Sequence, residues 1–455
     1  MSRIQALRRQ SVRYERLSLD NGSNVRIVRR TLRFFRQKKD RFIRKSELWV
    51  CRLEQSVVPG QIISRRVRRT RQIRPILTVP SSHKRRLYVD LAVISVHDSG
   101  TGIQRVVRAL ALALTKANPL DLELHFVTAG YGVPYHCTAW PELPVELDRT
   151  PIVGRAGDIF LGLDYSLETI RWNASQLVGF RRDGGQLWFL VHDLLPVQKP
   201  GWFSSKMVLR YRAWLQILAS TADGFLCNSA QTEADLRIAL AERFGLVSGY
   251  RTQVLPMGCD IAASNLPTST ATAVPSISFA ALKPFVLMVG TLEPRKGHAD
   301  ILRAFDRLWR EGCEYRLVII GSLGWRVGAL RELIEAHAEF GERLFWFDDI
   351  DDSTLIAAYR ASEGVIVASY GEGFGLPLIE ALGYGRSVLA RDLMIFRPHR
   401  TNGVRYFPAD ADTPTLIKHI ALWLDALAAG EINVTPPHAD WGQSVETLLS
   451  AIVSN

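Results

Sequence analysis

The chain has 455 residues, more than the ~250–300 at which a single hydrophobic core stops growing, so two domains with appendages are expected. With 47% hydrophobic and 22% charged residues it is neither a disordered nor a fibrous sequence. The net charge of +12 comes from one end: residues 1–86 hold 25 Lys/Arg against 5 Asp/Glu, and the remainder 32 against 40, so the body lacks the basic excess of a nucleic-acid binder and no nucleic-acid partner is expected.

From the N-terminus, Val25, Val28, Leu32, Phe35, Phe42 and Trp49 recur at three- and four-residue steps among arginines and lysines. This predicts a basic amphipathic helix within an extension of residues 1–86, suited to an anionic membrane surface. The stripe breaks at Lys39 and Ser46, which leaves a solvated helix or partial disorder equally open. From Leu87, short β-rich runs (LYVDLAVISV, LELHFV, DIFLGL, LWFLVH, GFLCNS, QVLP) alternate with helical patterns starting near Ile103, Ser205 and Gln231. That alternation predicts a parallel-sheet α/β domain over 87–275. The Ser/Thr/Ala/Pro-rich run from Asn265 to Pro284 reads as a linker. Alternation then resumes over 276–455 with FVLMVG, YRLVIIG, RLFWF, GVIVASY and RSVLA, a helix after His298 carrying Ile301, Phe305 and Leu308 on its core face, and a terminal helix in WGQSVETLLS.

Cys51, Cys137, Cys227, Cys259 and Cys313 lie far apart with no C-x-x-C pair, which suits a reducing cytoplasm better than a disulfide framework. No run approaches the ~20 apolar residues of a membrane span. No His, Cys, Asp or Glu cluster has metal-ligand spacing, and Asp348, Asp349, Asp351 and Asp352 read as a loop and helix start, so no metal is expected.

The most informative run is GVIVASYGEGFGLPLIEALGYG, Gly364 to Gly385. A buried strand leads into a glycine loop and a helix opening at Pro377, with no Ser, Thr, Asp or Asn to cap it, so the amides of Gly373, Phe374, Gly375 and Leu376 are available to an anion. Glu372 and Glu380 frame that phosphate cradle, and carboxylates accept hydrogen bonds from sugar hydroxyls. A lone GEGFG would fit a plain tight turn. Here acid, glycine loop, proline and second acid coincide at the carboxyl end of a strand, where α/β sheets bind ligands. Upstream, GTLEPRKGH (Gly290–His298) follows the first strand of the second domain and brings Arg295 and Lys296 toward a diphosphate, whose developing charge positioned cations can stabilise without a metal. In the first domain, Gly100 and Gly102 of DSGTGIQRVV would let backbone approach a ligand across the cleft, and His192 and Asp193 end the apolar strand LWFLV, which places Asp193 to orient the imidazole ring. Asn228 and Ser229 read as caps of the helix that follows them.

The segment E-G-F-G-L-P-x-x-E closely resembles the E-x7-E motif of the retaining glycosyltransferases of family 4, and the likeness extends over most of residues 87–455. It implies the GT-B fold, two Rossmann-like domains with parallel sheets facing across a cleft, here with a basic helical N-terminal extension. It implies donor-sugar contact for Glu372, ribose contact for Glu380, diphosphate contact for Lys296 and Arg295, a cleft histidine at His192, and donor-loop roles for Gly290, Gly100 and Gly102. Where many members read G-R-L-x-x-x-K-G, this chain has Thr291 at the arginine position. The implied activity is hexosyl transfer, with no cofactor, from a nucleotide-sugar donor such as GDP-mannose to a glycan or lipid-linked acceptor of surface polysaccharide at the cytoplasmic membrane face. dTDP-rhamnose, UDP-sugars and sugar-nucleotide epimerisation are the alternatives. Neither glutamate is assigned to the core, so Gln at either position is expected to keep the wild-type melting temperature.

Overall fold

A computed structural model describes residues 60–72, 84–98, 100–119, 121–141, 149–261, 278–348 and 350–453. The amphipathic stripe from Val25 to Trp49, Cys51, Asp349 and most of the Ser/Thr/Pro-rich run lie outside the described residues.

The first lobe contains α1 (Gly60–Arg71), β1 (Arg85–Asp90), α2 (Gly102–Ala117), β2 (Leu122–Gly130), β3 (Val133–Cys137), β4 (Ile159–Gly162), α3 (Leu167–Trp172), α4 (Ala174–Arg182), β5 (Gln186–Val191), α5 (Leu195–Gln198), α6 (Ser205–Thr221), β6 (Gly224–Cys227), α7 (Ala230–Phe244) and β7 (Arg251–Val254). Its sheet runs β3-β2-β1-β4-β5-β6-β7, parallel except for the β2–β3 pair at one edge. The second lobe contains β8 (Phe285–Val289), α8 (His298–Arg310), β9 (Arg316–Ile320), α9 (Gly328–Glu335), β10 (Leu344–Phe347), α10 (Asp352–Ala361), β11 (Gly364–Val367), α11 (Leu376–Gly383), β12 (Ser387–Arg391), β13 (Val404–Phe407) and α12 (Thr413–Ala428). Its six-stranded sheet, β10-β9-β8-β11-β12-β13, is parallel throughout. The last helix, α13 (Trp441–Val453), returns to the first lobe and packs on α2.

Both sheets are buried on two faces, as their near-continuous apolar strands require. On α8 the predicted Ile301, Phe305 and Leu308 are buried with Leu302 and Trp309. Burying side chains of this size contributes roughly 1.5–3 kcal/mol each, which fastens the helix to the sheet. The terminal helix buries Trp441, Val445, Leu448 and Ile452 in the same core as Val106, Leu110 and Leu114 of α2. α2 itself starts where Thr101 and Gln104 form a reciprocal capping box and stops at Asn118 in the left-handed region.

The first strand ends at Asp90, shorter than the apolar run LYVDLAVISV suggests. Tertiary hydrogen bonds explain the difference. The Asp90 Oδ1 accepts from the Ala92 amide at 2.9 Å, and the Asp164 Oδ2 accepts from the Val93 and Ile94 amides at 2.7 and 2.9 Å. These carboxylates take amides that a strand would have given to its neighbour, and the chain turns. The Asp90 Oδ2 also accepts from Ser166 Oγ at 2.6 Å and Tyr135 OH at 3.0 Å. Burial, reinforced by Asp164, raises the Asp90 carboxyl to about 7, and burial raises Asp164 to about 6. An acid whose folded value lies above its unfolded value binds its proton more tightly when folded, so stability falls as pH rises from about 4 to about 7. The wild type should therefore lose melting temperature between pH 5 and pH 8, and Asp90→Asn should flatten that fall; an unchanged slope in scanning calorimetry would show that this carboxyl ionises normally.

Candidate active site

In an open parallel sheet, ligands sit where the strand order reverses, outside the carboxyl ends of the strands. In the second lobe that point lies between β8 and β11. The loop after β8 carries Gly290 and a 3₁₀ turn, Pro294–Lys296, and the loop after β11 carries Glu372 and the glycines ahead of α11. The two motifs most prominent in the sequence thus converge on one crevice.

Glu372 is the hub of that crevice. Its Oε1 lies 2.5 Å from Lys296 Nζ and accepts from Ser369 Oγ at 2.6 Å, while Oε2 lies 3.4 Å from Arg295 Nη1. Burial alone would raise the Glu372 carboxyl, but Lys296 and then Arg295 outweigh it and hold it at about 2. Arg295 also pairs with Glu293 at 3.1 Å and donates to the Gly371 carbonyl at 3.2 Å. Its guanidinium is held above its ordinary value: burial opposes the charge, and the attraction of Glu372, Glu293 and Asp193 prevails. Two cations therefore face two carboxylates, with Asp193 nearby, before any anion arrives.

α11 starts at Leu376, one residue before the predicted Pro377, behind Gly375, whose φ of 88° belongs to the region that favours glycine. No side chain caps this end. Among the described residues, no acceptor takes the amides of Gly373, Phe374, Gly375 or Leu376. With the helix dipole, these four groups can receive an anion.

The first lobe closes directly on this loop. A Cβ added at Gly373 would lie 1.9 Å from the His192 carbonyl oxygen, and the Gly373 carbonyl accepts from Ser229 Oγ at 2.8 Å and Thr232 Oγ1 at 3.1 Å. Phe374 packs against the cores of both lobes. Gly102 approaches α11, where a Cβ would meet Leu376 at 3.3 Å. Gly100 does not: no atom would lie within 4 Å of its Cβ, and its φ of 62° and its amide bond to Asp98 Oδ1 mark a turn. Gly290 lies beside Lys296: a Cβ added there would meet that side chain's Cε at 3.6 Å.

His192 brings its backbone to the glycine loop ahead of α11. Its ring is buried, with Nε2 3.4 Å from the Leu163 carbonyl and an edge-on contact with Tyr165. Burial lowers its pKa to about 4, so the ring is neutral near pH 7. Asp193 does not orient that ring as its position suggested: its Oδ1 accepts from the Leu195 amide at 3.0 Å. Ser229 caps α7 through the Thr232 amide, whereas Asn228 instead donates to the His192 carbonyl at 2.8 Å. Asp351 caps α10, in line with the helix-start reading of the acidic run.

Glu380 corrects a second expectation. It is 3% exposed, forms a 2.9 Å ion pair with Arg105 of the first lobe and accepts from Tyr359 OH at 2.8 Å. Glu372 is buried nearly as deeply, its side chain 10% exposed. Both carboxylates are packed among partners, so Gln at either position would disturb stability as well as any ligand contact. Ser369 and Glu293 lie inside the two motifs of the second lobe, whereas Arg105 and Tyr359 belong to other elements. Only the assembled fold brings Arg105 and Tyr359 to Glu380.

Residues 273–425 match the family model described as Glycosyl transferases group 1. The second lobe is a group 1 glycosyltransferase domain. The described residues have the GT-B architecture, and the body of the chain resembles bacterial polysaccharide mannosyltransferases. It is 34% identical over 383 residues to the serotype-specific mannosyltransferase WbdA of Escherichia coli, an alignment covering 81% of this chain and 45% of WbdA. It is 33% identical over 221 residues to the D-inositol 3-phosphate glycosyltransferase of Nocardia farcinica, covering 47% of this chain and 46% of that protein. The chain spans less than half the length of these curated relatives. Among solved structures, sucrose-phosphate synthase from Thermosynechococcus elongatus superposes with a TM-score of 0.51 at 21% identity, covering 81% of this chain and 95% of that one. The N-terminal domain of Candida albicans trehalose-6-phosphate phosphatase gives 0.52 at 12% identity, covering 84% and 96%. These two likenesses establish the fold around the glycosyltransferase domain.

Proposed function

We propose that the chain is a retaining, metal-independent transferase of the family 4 type, moving a mannosyl group from GDP-mannose to a glycan or lipid-linked acceptor in surface polysaccharide synthesis. The observation that carries this reading is the meeting of Lys296, Arg295 and Glu372 beside the backbone amides of Gly373 to Leu376, which no acceptor takes among the described residues, at the switch point of the second sheet. Amides and cations would receive the diphosphate and the charge it gains as the glycosidic bond breaks. Glu372, held anionic, would accept from sugar hydroxyls. A neutral His192 would stand near the reacting sugar without repelling positive charge at the anomeric carbon. The similarity to WbdA supports mannose. Incubation with GDP-mannose, dTDP-rhamnose and UDP-sugars, with and without an acceptor extract, tests the reading. Release of GDP that depends on acceptor is expected; another nucleotide would replace the donor, and conversion of the sugar without acceptor would indicate an epimerase.

Among the described residues no group of three or more His, Cys, Asp or Glu could hold a metal ion. The local counter-charge is organic, so EDTA should leave the initial rate within about twofold, an expectation drawn from the cation and amide inventory. A rate abolished by chelator and restored by Mg²⁺ or Mn²⁺ would refute metal independence.

Among the described residues, no helix is long and apolar enough to cross a membrane. We assign membrane contact to residues 1–86. In their described part, α1 buries Val67 against the first lobe and exposes Arg65, Arg66, Arg68 and Arg69. Arg71 anchors the helix by donating to the Ala219 and Ala222 carbonyls at 3.0 and 2.9 Å. Each basic residue near an anionic surface contributes about 1 kcal/mol, over a Debye length of ~10 Å at 0.1 M salt. Full-length protein should pellet with phosphatidylserine liposomes at low salt and be released at high salt, and a chain lacking residues 1–59 should pellet less. Equal pelleting of both would exclude residues 1–59 as the anchor.

A further inference from the structure

Helix α2 presents two arginines, one turn apart, to the second lobe. Arg105 pairs with Glu380 on α11, and Arg108 bridges Asp98 at 3.2 Å to Asp352 at the start of α10 at 3.4 Å. Between these contacts and Gly102, which nearly touches Leu376, one helix of the first lobe spans the starts of two helices of the second.

Arg105 and Glu380 are both withdrawn from water, their side chains 11% and 4% exposed. Desolvation offsets much of the attraction in such a pair, so stability alone is a weak account of it. Nor is the guanidinium saturated: neither its Nε nor its Nη1 has a hydrogen-bond partner among the described residues, so Nη1 meets Glu380 as an ion pair without hydrogen-bond alignment. On the carboxylate side, Oε1 faces Arg105 and Oε2 accepts from Tyr359. Each carboxylate oxygen can accept twice, so one acceptor position on each remains for a ligand. Arg105 and Tyr359 approach the carboxylate from different lobes, the first as an ion pair at Oε1 and the second through a hydrogen bond to Oε2.

We propose that Arg105 is a positioning residue for the donor, orienting Glu380 toward the nucleoside ribose only when the lobes are closed; this rests on the reading of Glu380 as the ribose ligand. Donor binding and closure then share one carboxylate. Parting the lobes removes Arg105 and leaves Glu380 oriented from one side. The Arg108–Asp352 pair is a second strap that closes with it and touches no group assigned to the donor.

The test is steady-state kinetics, with calorimetric binding of the nucleoside diphosphate, for Arg105→Met, Arg105→Lys, Glu380→Gln, the Arg105→Met/Glu380→Gln double variant and Arg108→Met. Loss of one charge-assisted contact made equally in ground and transition states predicts about a tenfold rise in donor KM for Arg105→Met with kcat within about threefold. Arg105→Lys should recover part of the loss, keeping charge without the planar fork. In the Glu380→Gln background, Arg105→Met should add less than about twofold, because the contact it serves is already altered. Arg108→Met should move donor KM by less than about threefold, since neither of its partners, Asp98 and Asp352, is assigned a donor contact. Multiplicative effects of Arg105→Met and Glu380→Gln, or a fall in kcat at unchanged KM, would overturn the inference. Glu380→Gln with a wild-type donor KM would overturn it by removing the ribose reading. A raised KM for Glu380→Gln beside a wild-type KM for Arg105→Met would overturn the role of Arg105 alone.

Discussion

Glu372→Gln should lower kcat by about 10²- to 10³-fold, the usual cost of removing one preorganised electrostatic group, with a smaller effect on donor KM. The carboxylate is fixed from three sides by Lys296, Arg295 and Ser369, so it needs no reorganisation to meet positive charge at the anomeric carbon. Glutamine keeps the shape and the acceptor for Ser369 but removes the charge, and the two cations are then unbalanced in a buried crevice. A second readout separates this from a general packing defect. The folded carboxyl titrates at about 2 against an ordinary 4.5, so its contribution to stability is complete above about pH 4.5 and is lost as pH falls toward 2. Acid unfolding of Glu372→Gln should lack that component. A folded variant with wild-type kcat would end the assignment of Glu372 to the reacting sugar.

Gly373→Ala should be as damaging for a steric reason. The new methyl would lie 1.9 Å from the His192 carbonyl oxygen and 2.8 Å from Asp193 Cβ, so it meets backbone that cannot rotate away. The loop is also unable to slide, because Ser229 and Thr232 hold the Gly373 carbonyl. Gly373 is not among the glycines with positive φ, so alanine brings no conformational strain and the effect isolates the close approach of the lobes. Overpacking of this kind costs about 1–3 kcal/mol, and a displacement of about 1 Å at a reacting centre can cost 10²-fold in rate. A loss of kcat/KM of at least about 10²-fold is expected, with a melting temperature lowered by a few degrees. Near-normal turnover would mean that this closed contact is absent from the catalytic arrangement.

The positions of Glu372, Lys296 and the glycine loop were legible because strand, loop and helix follow one another without interruption, and local order alone brings them to a sheet's carboxyl edge. α8 was legible for a similar reason, its apolar stripe having one face to cover. Arg105 was not: in GIQRVVRALALAL it looks like any solvated residue of an amphipathic helix, and its partner lies 275 positions away. The end of β1 was misjudged because Leu91 to Ile94 are as apolar as a strand, while the acids that capture their amides include one some seventy residues on. The antiparallel β3 and the short β13 were missed because VPYHC and VRYF lack a sustained apolar run. Asp193 shows the limit of reasoning by adjacency: it follows His192 in the chain, yet its carboxylate serves the Leu195 amide.

The return of α13 to the first lobe has a mechanical consequence. The polypeptide passes between the lobes twice, once after β7 and once ahead of Trp441, whose indole donates to the Asp260 carbonyl at 3.2 Å and lies against Gly258. The second passage is thereby riveted beside the departure of the first. Two tethers fixed side by side oppose shear and leave rotation about the line joining them as the soft coordinate, much as two leaves of a door share one pin. Cutting the chain between Gly430 and Trp441 would add torsional freedom while leaving each lobe's sheet intact.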